Sequence, residues 1–253
     1  MDRESSEAFA RVCRELSETE DYSARSAIGT YGEKRLHVAF KRYATTEGAH
    51  CEVKVGPYIA DVCEKDRIVE IQTGGFYPLR EKIAYYLERT TYHVTVMHPI
   101  AERRRRVWID PATGEVTKVY ASPRRGKPRD ALRELFWLAP YLSHPRLCIC
   151  LEMIEAEEIR LADGWSRDGR KGSHRVELIP RALCGEIVLD EAEDYRIFLP
   201  KGLTEPFTAA AFGKAMGLRG KAIYAALTVL TSVGLIEEAG KAGRAKLWRT
   251  CAV

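Results

Sequence analysis

The stretch YIADVCEKDRIVEIQTGGF (58–76) decides the fold. Two β-branched runs flank Lys65 and Asp66, which read as a two-residue hairpin turn. With that turn, pairing partners sum to 131 (65 + 66), so Asp61 stands opposite Glu70 and Ile59 opposite Gln72. Strand alternation then sends Ala60, Val62, Val69 and Ile71 toward a core and gathers Asp61, Glu70 and Gln72 on the other side. Two carboxylates facing each other on adjacent strands repel, and such a pair is stable only where a cation neutralises it or a proton is shared. The bland alternative is a solvated sheet edge with arginine partners.

The oxygen-rich set suits a hard divalent ion, Mg²⁺ or Mn²⁺. Zinc has little support: none of the six histidines sits in an H-E-x-x-H pair, and the seven cysteines contain no C-x-x-C. Those cysteines read as reduced core residues. No apolar run approaches the roughly 20 residues of a membrane span, and the polar start is unlike a secretory signal, so no membrane contact and a cytoplasmic location are expected.

Working outward, HCEVKV (50–55) reads as a strand before the hairpin. A helix with a Leu36, Phe40 and Tyr43 stripe precedes it. After the hairpin come a helix in FYPLREKIAYYLER (76–89) and a buried strand in YHVTVMHPI (92–100). Helix, three strands, helix, strand is an α/β order whose last crossover makes a parallel pair. RRRRVWIDP (103–111) and EVTKVYAS (115–122) read as a second hairpin, followed by the basic loop SPRRGKPR (122–129) carrying Arg124, Arg125 and Lys127. A helix over 130–142, a strand over 147–161 and a charged Gly-rich loop over 164–174 complete this part. If strand-like, the arginine run 103–106 alternates sides; half of it then faces either a nucleic-acid backbone or solvent at a sheet edge.

From 186 the character changes. Segments 187–200, 208–217 and 220–234 read as helices, and 235–249 as two strands around a Gly/Lys/Arg turn. This is the plan of a winged helix, with Arg219, Lys221 and Tyr224 near the start of the recognition helix and Lys241, Arg244 and Lys246 on the wing. Winged helices also mediate protein contacts. The expected division is an N-terminal helix or arm (1–26), an α/β domain (27–185) and a winged-helix domain (186–253). The net charge is only +4, but 102–129 holds nine Lys/Arg against three Asp/Glu and 201–253 eight against three. Two separate basic regions point to a polyanionic partner.

Glu33 on a helix, Asp61 on the first hairpin strand and Glu70-x-Gln72 on the second resemble the PD-(D/E)XK nuclease superfamily. The likeness spans residues 29–100 and extends loosely to 180. It implies a restriction-endonuclease-like mixed sheet flanked by helices, with Asp61, Glu70 and Glu33 holding Mg²⁺ or Mn²⁺ and the Ile71 carbonyl as a further ligand. It also implies in-line attack of water on phosphorus. Ala60 replaces the signature proline. Gln72 replaces the lysine, as in a minority E-x-Q branch that includes competence-associated nucleases; an amide orients by hydrogen bonds but carries no charge. Lys82 or Lys54 would supply the missing cation, or both are surface lysines. Glu33 has an alternative role in a Thr30-x-x-Glu33 capping box, and Gly74-Gly75 either admits a phosphate or merely turns the chain. The function implied is a metal-dependent DNA endonuclease, acting as a homodimer where both strands are cut, with DNA favoured over RNA by the winged-helix likeness. The alternative is a catalytically inactive, nuclease-fold DNA-binding regulator or recruitment protein.

Overall fold

The computed structural model describes residues 3–18, 34–165 and 171–251. Helices α1 (Arg3–Glu18) and α2 (Arg35–Ala44) precede strands β1 (His50–Val55), β2 (Tyr58–Glu64) and β3 (Arg67–Ile71). Helix α3 (Leu79–Arg89) leads into β4 (His93–Ile109) and β5 (Val116–Ala121). A single α-turn, α4 (Leu132–Leu135), sits between two 3₁₀ segments ahead of β6 (Leu147–Trp165) and β7 (Lys171–Leu189). A 3₁₀ segment (Ala192–Phe198) then leads to β8 (Phe207–Thr208), α5 (Ala209–Met216), α6 (Lys221–Ser232), β9 (Ile236–Ala242) and β10 (Ala245–Thr250).

The chain is α/β, with a mixed seven-stranded sheet ordered β1-β2-β3-β4-β6-β7 and β5 added to the far half of β4. The β3–β4 and β4–β6 pairs are parallel; the others are antiparallel. The helical crossover between β3 and β4 has the expected consequence, since parallel neighbours need a connection long enough to return to the same end. One face of the sheet packs α1 and α2 through Phe9, Phe40, Val62, Val69, Ile71 and Ile154. The other packs α3, α4 and the C-terminal segment in one continuous core that joins Ile83, Leu132 and Leu151 to Phe212, Leu227 and Leu230. No helix among the described residues is long and apolar enough to cross a membrane.

The hairpin register is the expected one: Glu64 pairs with Arg67, Cys63 with Ile68 and Val62 with Val69. Lys65 takes the positive φ of 39° that a tight turn demands. The ladder ends at Val62–Val69, however, so Asp61 and Glu70 are not ladder partners. The expected single core face is also split, because Ala60 packs with the α3 core and Val62, Val69 and Ile71 with the α1–α2 core.

Three larger differences arise where burial and pairing override local pattern. Residues 92–100 and 103–109 form one strand, continuous through the arginines, because the acids of β6 lie directly beside them in parallel register: Arg103 with Glu155, Arg105 with Glu157, Arg106 with Glu158. The run is therefore interior to the sheet and not a solvated edge. Residues 187–189, expected helical, finish β7, where Leu189 pairs with Ile149. Over 175–185 the sequence shows no strand pattern, because Pro180 and Gly185 break the alternation, yet β7 runs through it; an edge strand with register shifts tolerates both.

Candidate active site and nucleic-acid surfaces

The end of the β2–β3 ladder opens a cleft of about 300 Å³ between α2 and α3, lined by His37, Asp61, Glu70, Ile71, Gln72 and Lys82 among others. Where the backbone ladder stops, a side chain takes over: the Asp61 carboxylate accepts the Ile71 N–H at 2.8 Å. His37 Nε2 lies 3.3 Å from the same oxygen. Burial pushes the Asp61 pKa up, but the His37 and Ile71 hydrogen bonds and the charges of His37 and Lys82 outweigh it and hold the carboxyl below its ordinary range. Asp61 is therefore an anion at neutral pH.

Glu70 is only 2% exposed. Its Oε2 accepts from Lys82 Nζ at 2.5 Å, while Oε1 is buried without a hydrogen-bond partner. Burial raises its pKa to about 7, with the Asp61 charge adding to the rise and Lys82 opposing it. Two acids with pKa values pushed in opposite directions in one cleft form an unequal pair, the pattern expected where a site binds a cation or handles a proton.

The Lys82 side chain thus lines the cleft and is not spread on the surface. It reaches the cleft from α3, and Tyr86, one turn on, sits beside Glu70, where its buried hydroxyl helps hold the Glu70 pKa down. Lys54, the other lysine considered, is exposed on β1. Gln72 lines the cleft, but its amide donates to the Gly75 carbonyl at 2.6 Å. It braces the 72–76 turn, which Glu134 also holds by accepting the Phe76 N–H at 3.0 Å. The Gln72 carbonyl lies 2.6 Å from Nδ1 of the partly buried His98, whose pKa desolvation lowers. That ring is neutral and donates from Nδ1. Glu33 and its proposed partner Thr30 lie outside the described residues.

Among the described residues no group of three or more His, Cys, Asp or Glu is placed to hold a metal. A hard divalent ion asks less of the protein: one or two carboxylates, with water and other oxygens completing the shell. The ionised Asp61, the orphaned Oε1 of Glu70 and the Ile71 carbonyl fit that request.

The basic residues fall into two places. Arg124, Arg125 and Lys127 are exposed on the loop after β5, which lies against β4: the Gly126 N–H donates to the Ala101 carbonyl at 3.1 Å, and a Cβ on Gly126 would sit 2.5 Å from that oxygen. In the C-terminal segment β8, β10 and β9 form a three-stranded sheet against α5 and α6. Thr208 caps α5 by accepting the Ala211 N–H, and Gly217 closes it with φ 63°, as the Gly217-Leu218 turn requires. Arg219 and Lys221 are exposed at the start of α6. Tyr224, 63% exposed, lines a groove of about 860 Å³ with Arg244, Lys246 and Trp248. Lys241 stands opposite Lys246 on the β9–β10 ribbon, and Lys246 pairs with Glu238 at 2.7 Å.

A family model described as Domain of unknown function (DUF8091) matches residues 34–190. The chain belongs to this family. The DUF8091 match contains Asp61, Glu70, Ile71, Gln72, Lys82 and His37 and stops short of the α5–α6 segment. An uncharacterized protein of Treponema pallidum (strain Nichols) is 28% identical over 228 residues, covering 88% of this chain and 87% of that protein. No solved structure matches the chain.

His37 and Tyr86 are the site residues that the sequence alone did not supply. Tyr86 follows Lys82 by four residues on the same helix, a spacing that places both on one face. Nothing in the sequence ties His37 to Asp61, because their contact depends on how α2 docks over the sheet.

Proposed function

We propose that this chain is a metal-dependent phosphodiesterase of the restriction-endonuclease-like fold, acting on DNA, with its C-terminal segment serving as a winged helix. One observation carries the reading: Glu70 is buried in a cleft with Oε1 unpartnered, beside an ionised Asp61 and a lysine. An unpaired buried carboxylate oxygen is costly, and a cation relieves it. Asp61, Glu70 and the Ile71 carbonyl would hold Mg²⁺ or Mn²⁺, which supplies charge stabilisation at phosphorus and an activated water. The chain's own part is to fix the two carboxylates at the ladder end, to keep Asp61 ionised through His37 and the Ile71 N–H, and to present the Lys82 ammonium where the signature lysine is replaced by Gln72. Lys82 then stabilises charge on the phosphate oxygens. Tyr224, Arg219, Lys221, Arg244 and Lys246 would grip the duplex backbone, as would Arg124, Arg125 and Lys127.

The test is cleavage of duplex, branched and single-stranded DNA and of RNA by the purified chain with Mg²⁺, Mn²⁺ or EDTA. Metal-dependent cutting of DNA is expected. An intact panel under every metal condition sinks the catalytic reading, and salt-sensitive DNA binding without cutting would then favour the regulator alternative.

Metal binding is checked separately by melting. Saturating Mn²⁺ is expected to raise Tm by about 2–4 °C through linkage, and Glu70→Gln to abolish the rise. Because Glu70 ionises near pH 7, the Mn²⁺-induced rise is expected to be larger at pH 8 than at pH 6, since at the lower pH a proton must first leave.

A further inference from the structure

Beyond the core, the far halves of β4, β5, β6 and β7 continue as a four-stranded arm. Alternation along β4 places Arg104, Arg106 and Trp108 on one face of it. Glu158 is Arg106's neighbour on β6 and Tyr120 its neighbour on β5, while Arg160 lies beside Trp108.

The charges on this face do not balance. Glu158 is buried, and Arg160 already donates to it at 2.5 Å while bonding Ser173 through its other nitrogens. Arg104 and Arg106 reach the same carboxylate only at 3.8 and 3.6 Å, beyond hydrogen-bond distance. Three guanidiniums thus share one carboxylate. Arg124 and Arg175, both exposed, add repulsion at Arg104. The Nε atoms of Arg104 and Arg106 have no hydrogen-bond partner, while Arg106 and Trp108 turn their N–H groups on the Tyr120 hydroxyl and lower its pKa, a neutral group that balances none of the arginine charge. Arg106 lies 6.0 Å from the Tyr120 ring centroid and Lys118 4.9 Å from it, so the aromatics are flanked by cations. Half-buried guanidiniums without a matching anion are unfavourable, and this set is aligned along a strand, as the charges of a polyanion are.

We propose that this arm face is a second docking surface, distinct from the cleft and from the α6 groove, that takes the phosphate backbone of duplex DNA. The choice of DNA rests on the function proposed above. Ile71 pairs with Met97, and Arg104 lies seven residues further along β4, roughly 23 Å at about 3.3 Å per residue. That span matches roughly seven base steps of duplex at about 3.4 Å each. A duplex held at the cleft therefore extends far enough to meet the arm.

The test measures fluorescence anisotropy of a labelled 24-base-pair duplex with the full chain in EDTA, across a salt series. The exposed pair Arg124→Gln/Arg175→Gln is expected to weaken binding about five- to tenfold and to flatten the log K against log salt slope by roughly 1.8, about 0.9 for each lost phosphate contact. Arg104→Gln/Arg106→Gln is expected to do the same, with its melting temperature recorded because these side chains are half-buried. Wild-type affinity and slope in both variants overturn the proposal. So does a result in which 10 mM inorganic phosphate raises Tm in wild type but not in Arg104→Gln/Arg106→Gln while duplex affinity is equal in both, which marks a small-anion site. Because binding is read without metal, arginine-dependent affinity in a chain that cleaves nothing would leave the arm standing and the catalytic reading failed. Cleavage with arginine-independent affinity would do the reverse.

Discussion

Asp61→Ala and Lys82→Met are each expected to lower metal-dependent phosphodiester cleavage by about 10³-fold, whereas Gln72→Ala is expected to lower it by less than about tenfold. The ranking follows from what each side chain touches. Asp61 is the cleft's ionised oxygen donor and also holds the Ile71 N–H; its loss removes charge and releases the ladder end. Lys82 is the ammonium within reach of Glu70. The Gln72 amide is already committed to the Gly75 carbonyl, so its truncation loosens the 72–76 turn without removing charge. Lys82→Met also removes the cation that opposes the Glu70 pKa rise, so Glu70 takes up a proton and the variant loses stability as pH rises. A Glu70→Gln/Lys82→Met double variant separates the two effects: it should regain most of the stability and none of the activity. Single-turnover rates with denaturant melts on the four variants check the prediction. Near-wild-type cleavage by Lys82→Met, with Gln72→Ala dead, would reverse the assignment and return the orienting role to the amide.

Glu152→Gln is expected to stabilise the chain by about 3–4 kcal/mol at pH 8.5 and to leave it nearly unchanged at pH 4.5. Glu152 is 0% exposed, neither carboxylate oxygen has a hydrogen-bond partner, and its neighbour across the β6–β7 ladder is Glu186. Burial, then the Glu186 charge, raises its pKa from 4.5 to about 8. The sign follows from proton counts. Between pH 4.5 and 8 the folded chain keeps a proton on Glu152 that the unfolded chain has released, so stability falls as pH rises through that window. Below it both states hold the proton and the penalty disappears. Glutamine stays neutral throughout and escapes the loss. Urea unfolding at the two pH values measures the difference; a gain of equal size at both would show that packing, and not ionisation, is responsible.

The distinction between what the sequence reveals and what it withholds follows the range of the interactions. The hairpin register over 62–69 was legible because a two-residue turn sets it locally. Asp61 and Glu70 reach the same cleft for that reason, although the ladder stops before them and a side chain replaces the expected backbone pairing. The α5–turn–α6–ribbon order was legible from two helical segments followed by two strands around a Gly/Lys/Arg turn, with Gly217 between the helices. The fate of 103–106 was not, since four arginines look solvated until the acids of β6, some fifty residues later, are seen in register beside them. The same holds for the role of Lys82 against Gln72: spacing identified both, but only the docking of α3 shows which one carries its charge into the cleft.

The core that joins Leu132 and Leu151 to Leu227 and Leu230 has a kinetic corollary. These partners are separated by about a third of the chain, and the sheet they cover contains two parallel pairs, β3–β4 and β4–β6. Non-local pairing of this kind demands loop closure before it is rewarded, so folding is expected to be slow. A nascent chain that has emerged only through β7 still bares the apolar face that α6 later covers. The last sixty or so residues therefore act as the closing segment of folding, and a chain arrested before them presents an adhesive surface.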